Sequence, residues 1–172
     1  MVAADQLACE KHCVARCGSS WFAFPASAVR EVAVRPTIVK VPRSDSVLAG
    51  LCHLRNEFIP VLSAADLLEV RDSSTTEGHM LVLTGVDGPW ALLIDAVAAL
   101  DILEISFVRE WESTDARSSS MVGTASFQDH VVQVLDPELL YRFIMKRLET
   151  TWIEQTGDAV HHQNELLNSH SS

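Results

Sequence analysis

The chain predicts an all-β fold, a barrel or a sandwich, finished by one C-terminal α-helix. Three observations lead there. Short apolar and β-branched runs recur at close spacing, about ten in all, which points to antiparallel β architecture rather than a parallel sheet. Four of the gaps between them carry hairpin signals: Gly18-Ser19-Ser20, Arg55-Asn56-Glu57, Asp87-Gly88 and Gln128-Asp129. After Asp136 the apolar spacing changes to that of a helix.

Taken in order, residues 1–8 form a loose lead-in. Lys11–Cys17 and Trp21–Ala26 are the first two strands, joined by about three residues, and Pro25 ends the second. Ser27–Val32 fits a single helical turn with Ser27 as its cap. Thr37–Val41 is rich in β-branched residues, and Pro42 closes it. Leu48–Leu54 and Phe58–Leu62 form a hairpin around Arg55-Asn56-Glu57. Asn tolerates left-handed backbone better than most residues, so Asn56 suits the bend. Pro60 lacks a backbone donor, which places its strand at an edge or at the end of a ladder. Ser63 caps a helical turn reaching Leu68, with Asp66 three residues on.

The polar stretch 71–78 has no period and reads as a loop dividing the strands into two groups. His79–Val86 and Trp90–Ile94 flank Asp87-Gly88, and Val97–Leu103 continues the sheet. Residues 109–120, with Trp111, form a second long loop. Val122–Phe127 and His130–Leu135 make the fourth hairpin. Asp136-Pro137-Glu138 opens a helix expected over 137–154, with Asp as cap and Pro at the first position. Leu140, Phe143, Ile144 and Leu148 give it one apolar face. From Gly157 the polar, histidine-rich chain reads as a disordered tail. The division is therefore a lead-in at 1–8, a folded domain at 9–148, and a helix end with tail at 149–172.

With 172 residues there is room for one domain, or for two small lobes sharing one core. The formal net charge of −10 argues against nucleic acid and against anionic membrane surfaces as partners. A local basic patch would have to come from Arg30, Arg35, Lys40 and Arg43. No early segment reads as a signal peptide, and no apolar run reaches the roughly 18 residues of a spanning helix. The expected place is the cytosol, with no membrane insertion and with the four cysteines as thiols.

Cys9, Cys13 and Cys17, with His12 between, invite a metal reading. Zinc sites usually bring ligands in close pairs. On a strand, Cys13 and Cys17 share a face but stand about 13 Å apart at about 3.3 Å per residue. Buried cysteines acting as small hydrophobes are expected, and no metal. A metal- or redox-responsive module built on these cysteines stays open as an alternative, as does a small-ligand-binding β-barrel sensor. Cys52 and His53 are adjacent, so on a strand they point to opposite faces and cannot act as nucleophile and base. Asp95 ends a buried strand, where a lone carboxylate caps or pairs. No acid pair with acid–base spacing and no phosphate-binding glycine loop occurs. His161, His162 and His170 lie in the tail. Arg55, at the lip of an apolar hairpin, is placed to be presented or to pair with an acid.

With the hairpins placed, the sequence resembles the CheW-like chemotaxis coupling domain over about 12–148. Val29-Arg30-Glu31-Val32 resembles its V-x-E-I/V segment after the first hairpin. Gly50-Leu51-Cys52-His53-Leu54-Arg55-Asn56-Glu57-Phe58-Ile59-Pro60-Val61 resembles G-x-x-N-L-R-G-x-I/V-I/V-P-V and is the most specific match. Trp90-Ala91-Leu92-Leu93-Ile94-Asp95-Ala96-Val97 is similar to G-I/L-x-V-D-x-V. Val122-Gly123-Thr124-Ala125, with Val131 to Leu135, is similar to the final hairpin before the family's C-terminal helix. His53 stands where the family usually has Asn, Asn56 where it has Gly, and Ala91 near a usual Gly. These departures bear on partner identity and fit a paralogue serving a second signalling array, such as one for surface motility.

The resemblance implies two five-stranded β-barrel subdomains sharing a core. It implies a non-enzymatic adaptor, without cofactor, that bridges methyl-accepting chemoreceptors to a CheA-type histidine kinase. On that reading Val29, Glu31, Leu54, Arg55 and Asn56 belong to an apolar groove for the receptor tip, with Glu31 and Arg55 paired. Ile38, Val39, Val41 and Leu48 are the candidates for the kinase-facing surface.

Overall fold

The computed structural model describes residues 10–72, 78–107 and 116–168; the side chains of 116–117 and 154–168 lie outside that description. Cys9, Trp111 and most of the two expected loops therefore fall outside it as well.

β1 (Lys11–Cys17) and β2 (Ser20–Pro25) pair antiparallel across Gly18-Ser19, a turn one residue tighter than expected. A single 3₁₀ turn, Ala26–Ala28, follows without a side-chain cap. The helical turn expected over Ser27–Val32 is thus corrected. The turn ends at Ala28, and from Val29 inward and outward residues alternate with the strand period of β3 (Val29–Val34). β4 is only Ile38–Val39, confined between Pro36 and Pro42.

β5 (Leu48–Leu54) and β6 (Glu57–Ser63) form the central hairpin. Ser63 then caps α1 (Ala64–Leu67), its Oγ accepting the Asp66 N–H at 3.2 Å. β7 (His79–Gly85) and β8 (Gly88–Ile94) turn at Val86-Asp87, and β9 is Ala96–Ile102. β10 (Ile105–Phe107) was not expected, and the end of the second expected loop is helical, α2 (Ala116–Ser120). β11 (Met121–Phe127) and β12 (His130–Leu135) pair around Gln128-Asp129. Asp136 opens α3 (Pro137–Asn168) by accepting the Glu138 and Leu139 N–H groups at 2.8 and 3.0 Å. The helix does not end near 154. Its backbone stays helical to Asn168, through most of the expected tail.

The described strands form two six-stranded sheets, β10-β11-β12-β2-β1-β9 and β3-β7-β8-β6-β5-β4. Each has five long strands and one short edge strip, β10 or β4, which accounts for the expectation of five. The second sheet is continuous in sequence, whereas the first is assembled from both ends of the chain. The division thus does not fall at 71–78, which lies within the second sheet's sequence. One parallel pairing joins the hairpins of each sheet, β12–β2 and β6–β8. Pro60 lies in an interior strand rather than at an edge, one residue before the β8 ladder begins at Val61, so its missing donor falls at a ladder's end.

Among the described residues three apolar clusters explain the packing. Cys13, Ala15 and Cys17 of β1 face a core shared with Leu81, Leu83, Trp90, Leu92 and Ile94, and closed by Leu140 and Ile144 of α3. The intervening residues point the other way. Val14 joins Ala23, Val132 and Val134 inside the first sheet. Met80, Val82, Ala91 and Leu93 join Cys52, Ile59 and Val61 inside the second. Strands buried on both faces read as unbroken apolar runs, and Leu81–Leu83 and Trp90–Ile94 do. Two lobes therefore share one core. Among the described residues no helix is long and apolar enough to cross a membrane.

Candidate functional site

The central hairpin places its charged lip by an unusual backbone. Leu54 pairs with Glu57, leaving Arg55 and Asn56 as a two-residue loop with φ of 49° and 67°. Two left-handed residues make the turn whose twist matches that of the flanking strands. At the hairpin's start, Gly50 has φ of 146°, and a Cβ there would sit 2.2 Å from the Val39 carbonyl oxygen. Only glycine lets β4 approach β5 so closely.

Arg55 Nε lies 3.1 Å from both Glu31 oxygens, and Nη2 lies 2.8 Å from Oε2. The expected pair is present. A second pair, Arg30 Nη1 to Glu57 Oε2 at 2.7 Å, stands beside it and was not foreseen. Its signal was the alternation of opposite charges at 30–31 and 55–57. β3 begins the sheet order while β5 and β6 lie toward its far end, so both pairs tie one edge strand to a hairpin that is not its neighbour in the sheet. Arg55 is 70% exposed and Glu31 20%, so the guanidinium is held from below and presented above. Asn56 is exposed beside it. Leu54 packs toward the second sheet's own cluster, and Val29 packs on the shared core.

A cleft of about 720 Å³ opens between the lobes. Its wall includes Pro25, Ala28, Val86, Val122, Leu135 and Tyr141, with Glu10, Asp136 and Glu138 among the polar groups. None of Val29, Glu31, Leu54, Arg55 and Asn56 lines it. The charged lip and this cleft are therefore separate features of the surface. The segment Pro25–Glu31 links them: its start lines the cleft, Val29 packs inward, and its end makes the ion pairs. Tyr141 stacks at a tilt on Trp90, ring centroids 5.6 Å apart. Burial, and then the Asp87 charge, push its hydroxyl above the usual tyrosine value.

The four kinase-facing candidates do not share a surface. Ile38 packs toward the second sheet's cluster, Leu48 packs on the shared core, and Val41 is half-buried. Val39 is exposed and paired in register with Leu51. On the same outer face, Phe58 is 77% exposed beside His53. An apolar strip of Val39, Leu51 and Phe58 results. Strand alternation could have found it, once the inward face of β5 was known to be the Cys52 face.

Cys13 and Cys17 are buried in the shared core, and Cys52 lies 3.9 Å from the Met80 sulfur. Burial pushes the Cys13 and Cys52 thiols above their ordinary value, toward the unreactive protonated form. Among the described residues no three His, Cys, Asp or Glu side chains converge as a metal site. Asp95 accepts the Gly18 N–H at 2.6 Å and lies 3.8 Å from Arg16 Nη1, fastening the first turn.

Fold and site together define a two-lobed, all-β scaffold domain. The chain matches the CheW-like domain over residues 11–144 and belongs to that family of scaffold and adaptor proteins. The crystal structure of scaffolding protein TtCheW from Thermoanaerobacter tengcongensis shares the fold, with a TM-score of 0.67 at 18% identity over 76% of this chain and 91% of that one. A search of curated proteins returned no match.

Proposed function

We propose that the chain is a non-enzymatic adaptor that couples methyl-accepting chemoreceptors to a CheA-type histidine kinase in the cytosol. The observation that carries this is the family's signature hairpin with Arg55 held on Glu31. A coupling module needs two surfaces on one rigid body, and a shared core between two sheets supplies the rigidity. A receptor tip is a helical hairpin, and the interlobe cleft is the concave, largely apolar feature suited to it. The Glu31–Arg55 and Arg30–Glu57 pairs would then form a second, charged contact outside the cleft, joined to it by Pro25–Glu31. The strip of Val39, Leu51 and Phe58 is the better candidate for the kinase side, since Ile38 and Leu48 are engaged in packing.

Reconstitution tests this. The purified chain, a CheA-type kinase and receptor-bearing membranes from the same source should co-sediment, and kinase autophosphorylation should rise only when all three are present. Absence of association with both kinase and receptor would overturn the assignment.

A further inference from the structure

We infer that the helix accepted by the interlobe cleft carries an apolar face bordered by lysine or arginine. This rests on the reading of that cleft as the receptor groove. The wall supplies apolar area from Pro25, Ala28, Val86, Val122 and Leu135. Among the described residues its charged groups are carboxylates, Glu10, Asp136 and Glu138, with no Lys or Arg in the lining. These acids are fixed in place. Glu10 accepts the Ser27 N–H at 3.3 Å, Asp136 caps α3, and Glu138 pairs with Arg142. A carboxylate has about four acceptor sites, so one or two bonds leave capacity for a cation. Asp87 extends the same negative field to Tyr141. An acidic-bordered helix would meet like charge against an apolar wall, and a basic helix without an apolar face would bury little area.

The net charge of −10 attracts any cation, so the test must separate the cleft from the whole surface. Two synthetic helices sharing one leucine face, one bordered by lysine and one by glutamate, are titrated into the full chain by calorimetry, and the contacts are mapped by NMR. The lysine helix should bind about four- to twenty-five-fold tighter, at about two- to fivefold for each of the two charges Glu10 and Glu138, with the advantage shrinking as salt rises. Resonances of Ala28, Val86 and Tyr141 should shift. Glu10→Gln with Glu138→Gln should reduce the preference, and Glu10→Lys with Glu138→Lys should reverse it. Glu104→Lys with Asp129→Lys, exposed acids outside the cleft, should leave the preference in place.

If both helices shift the cleft resonances equally, the groove stands and the charge inference falls. If the control pair abolishes the preference as fully as the cleft pair, the attraction belongs to net charge and the inference also falls. If neither helix touches the cleft, the groove reading itself is overturned.

Discussion

Arg55 is 70% exposed although Glu31 holds it through two guanidinium nitrogens. An exposed pair is worth about 0–1 kcal/mol, so its main effect is to fix the direction in which the guanidinium points. Arg55→Ala should therefore leave stability within about 0.5 kcal/mol while weakening capture of a receptor signalling-tip fragment. Thermal melts and a pull-down measure the two effects, and unchanged capture would remove Arg55 from the binding surface. At this scale the sequence was partly legible. Asn56 announced a left-handed bend because its short amide tolerates one. The equally left-handed φ of Arg55 has no such marker, since it is imposed by a two-residue loop that must match the twist of β5 and β6.

The four hairpins were legible because each is decided within a few residues of its turn. Short elements set by distant partners were not: β10 exists because Ile105–Phe107 meets Gly123–Ala125, and β4 because Gly50 admits it. One such distant contact fastens the loop before β5 to α3. Asp45 takes Arg147 Nε at 2.8 Å and Nη2 at 3.1 Å, and also accepts the Val47 N–H at 2.9 Å. Burial alone would raise the Asp45 carboxyl. The bonds from Arg147 and Val47, the Arg147 charge and the Thr151 hydroxyl outweigh it and hold the carboxyl below its usual value. The unfolded chain then takes up the proton first. The stabilisation is full above the ordinary carboxylate range near pH 3.9 and is lost as pH falls through the lower folded value. Asp45→Asn should cost about 1 kcal/mol at pH 7, a modest figure because Arg147 remains 40% exposed. Urea midpoints should show the gap between parent and variant narrowing in acid, and a gap independent of pH would mean the clamp is not ionic.

For the whole molecule, an all-β chain with two lobes was legible, but not which strands belong to which lobe. The first sheet joins β1 and β2 from one end of the chain to β9–β12 from the other, across the entire second sheet. Its parallel β2–β12 pairing closes a loop on the order of a hundred residues, an entropic cost that no local signal records. The same topology makes a claim about cooperativity. Folding of the second sheet shortens the span that separates the halves of the first, and β7 and β8 of the second give one face to the shared core. Leu92, buried there, should cost about 2–5 kcal/mol as Leu92→Ala. Val132, buried inside the first sheet alone, should cost roughly 1–3 kcal/mol as Val132→Ala. Both variants should still unfold in one step, with tryptophan fluorescence and far-ultraviolet circular dichroism giving the same urea midpoint. With Trp111 and Trp152 replaced by Phe, Trp21 reports the first sheet and Trp90 the shared core, so a lobe that melted alone would pull the two signals apart. Separate midpoints in Val132→Ala would mean that the shared core does not couple the lobes, and that the adaptor is two bodies rather than one.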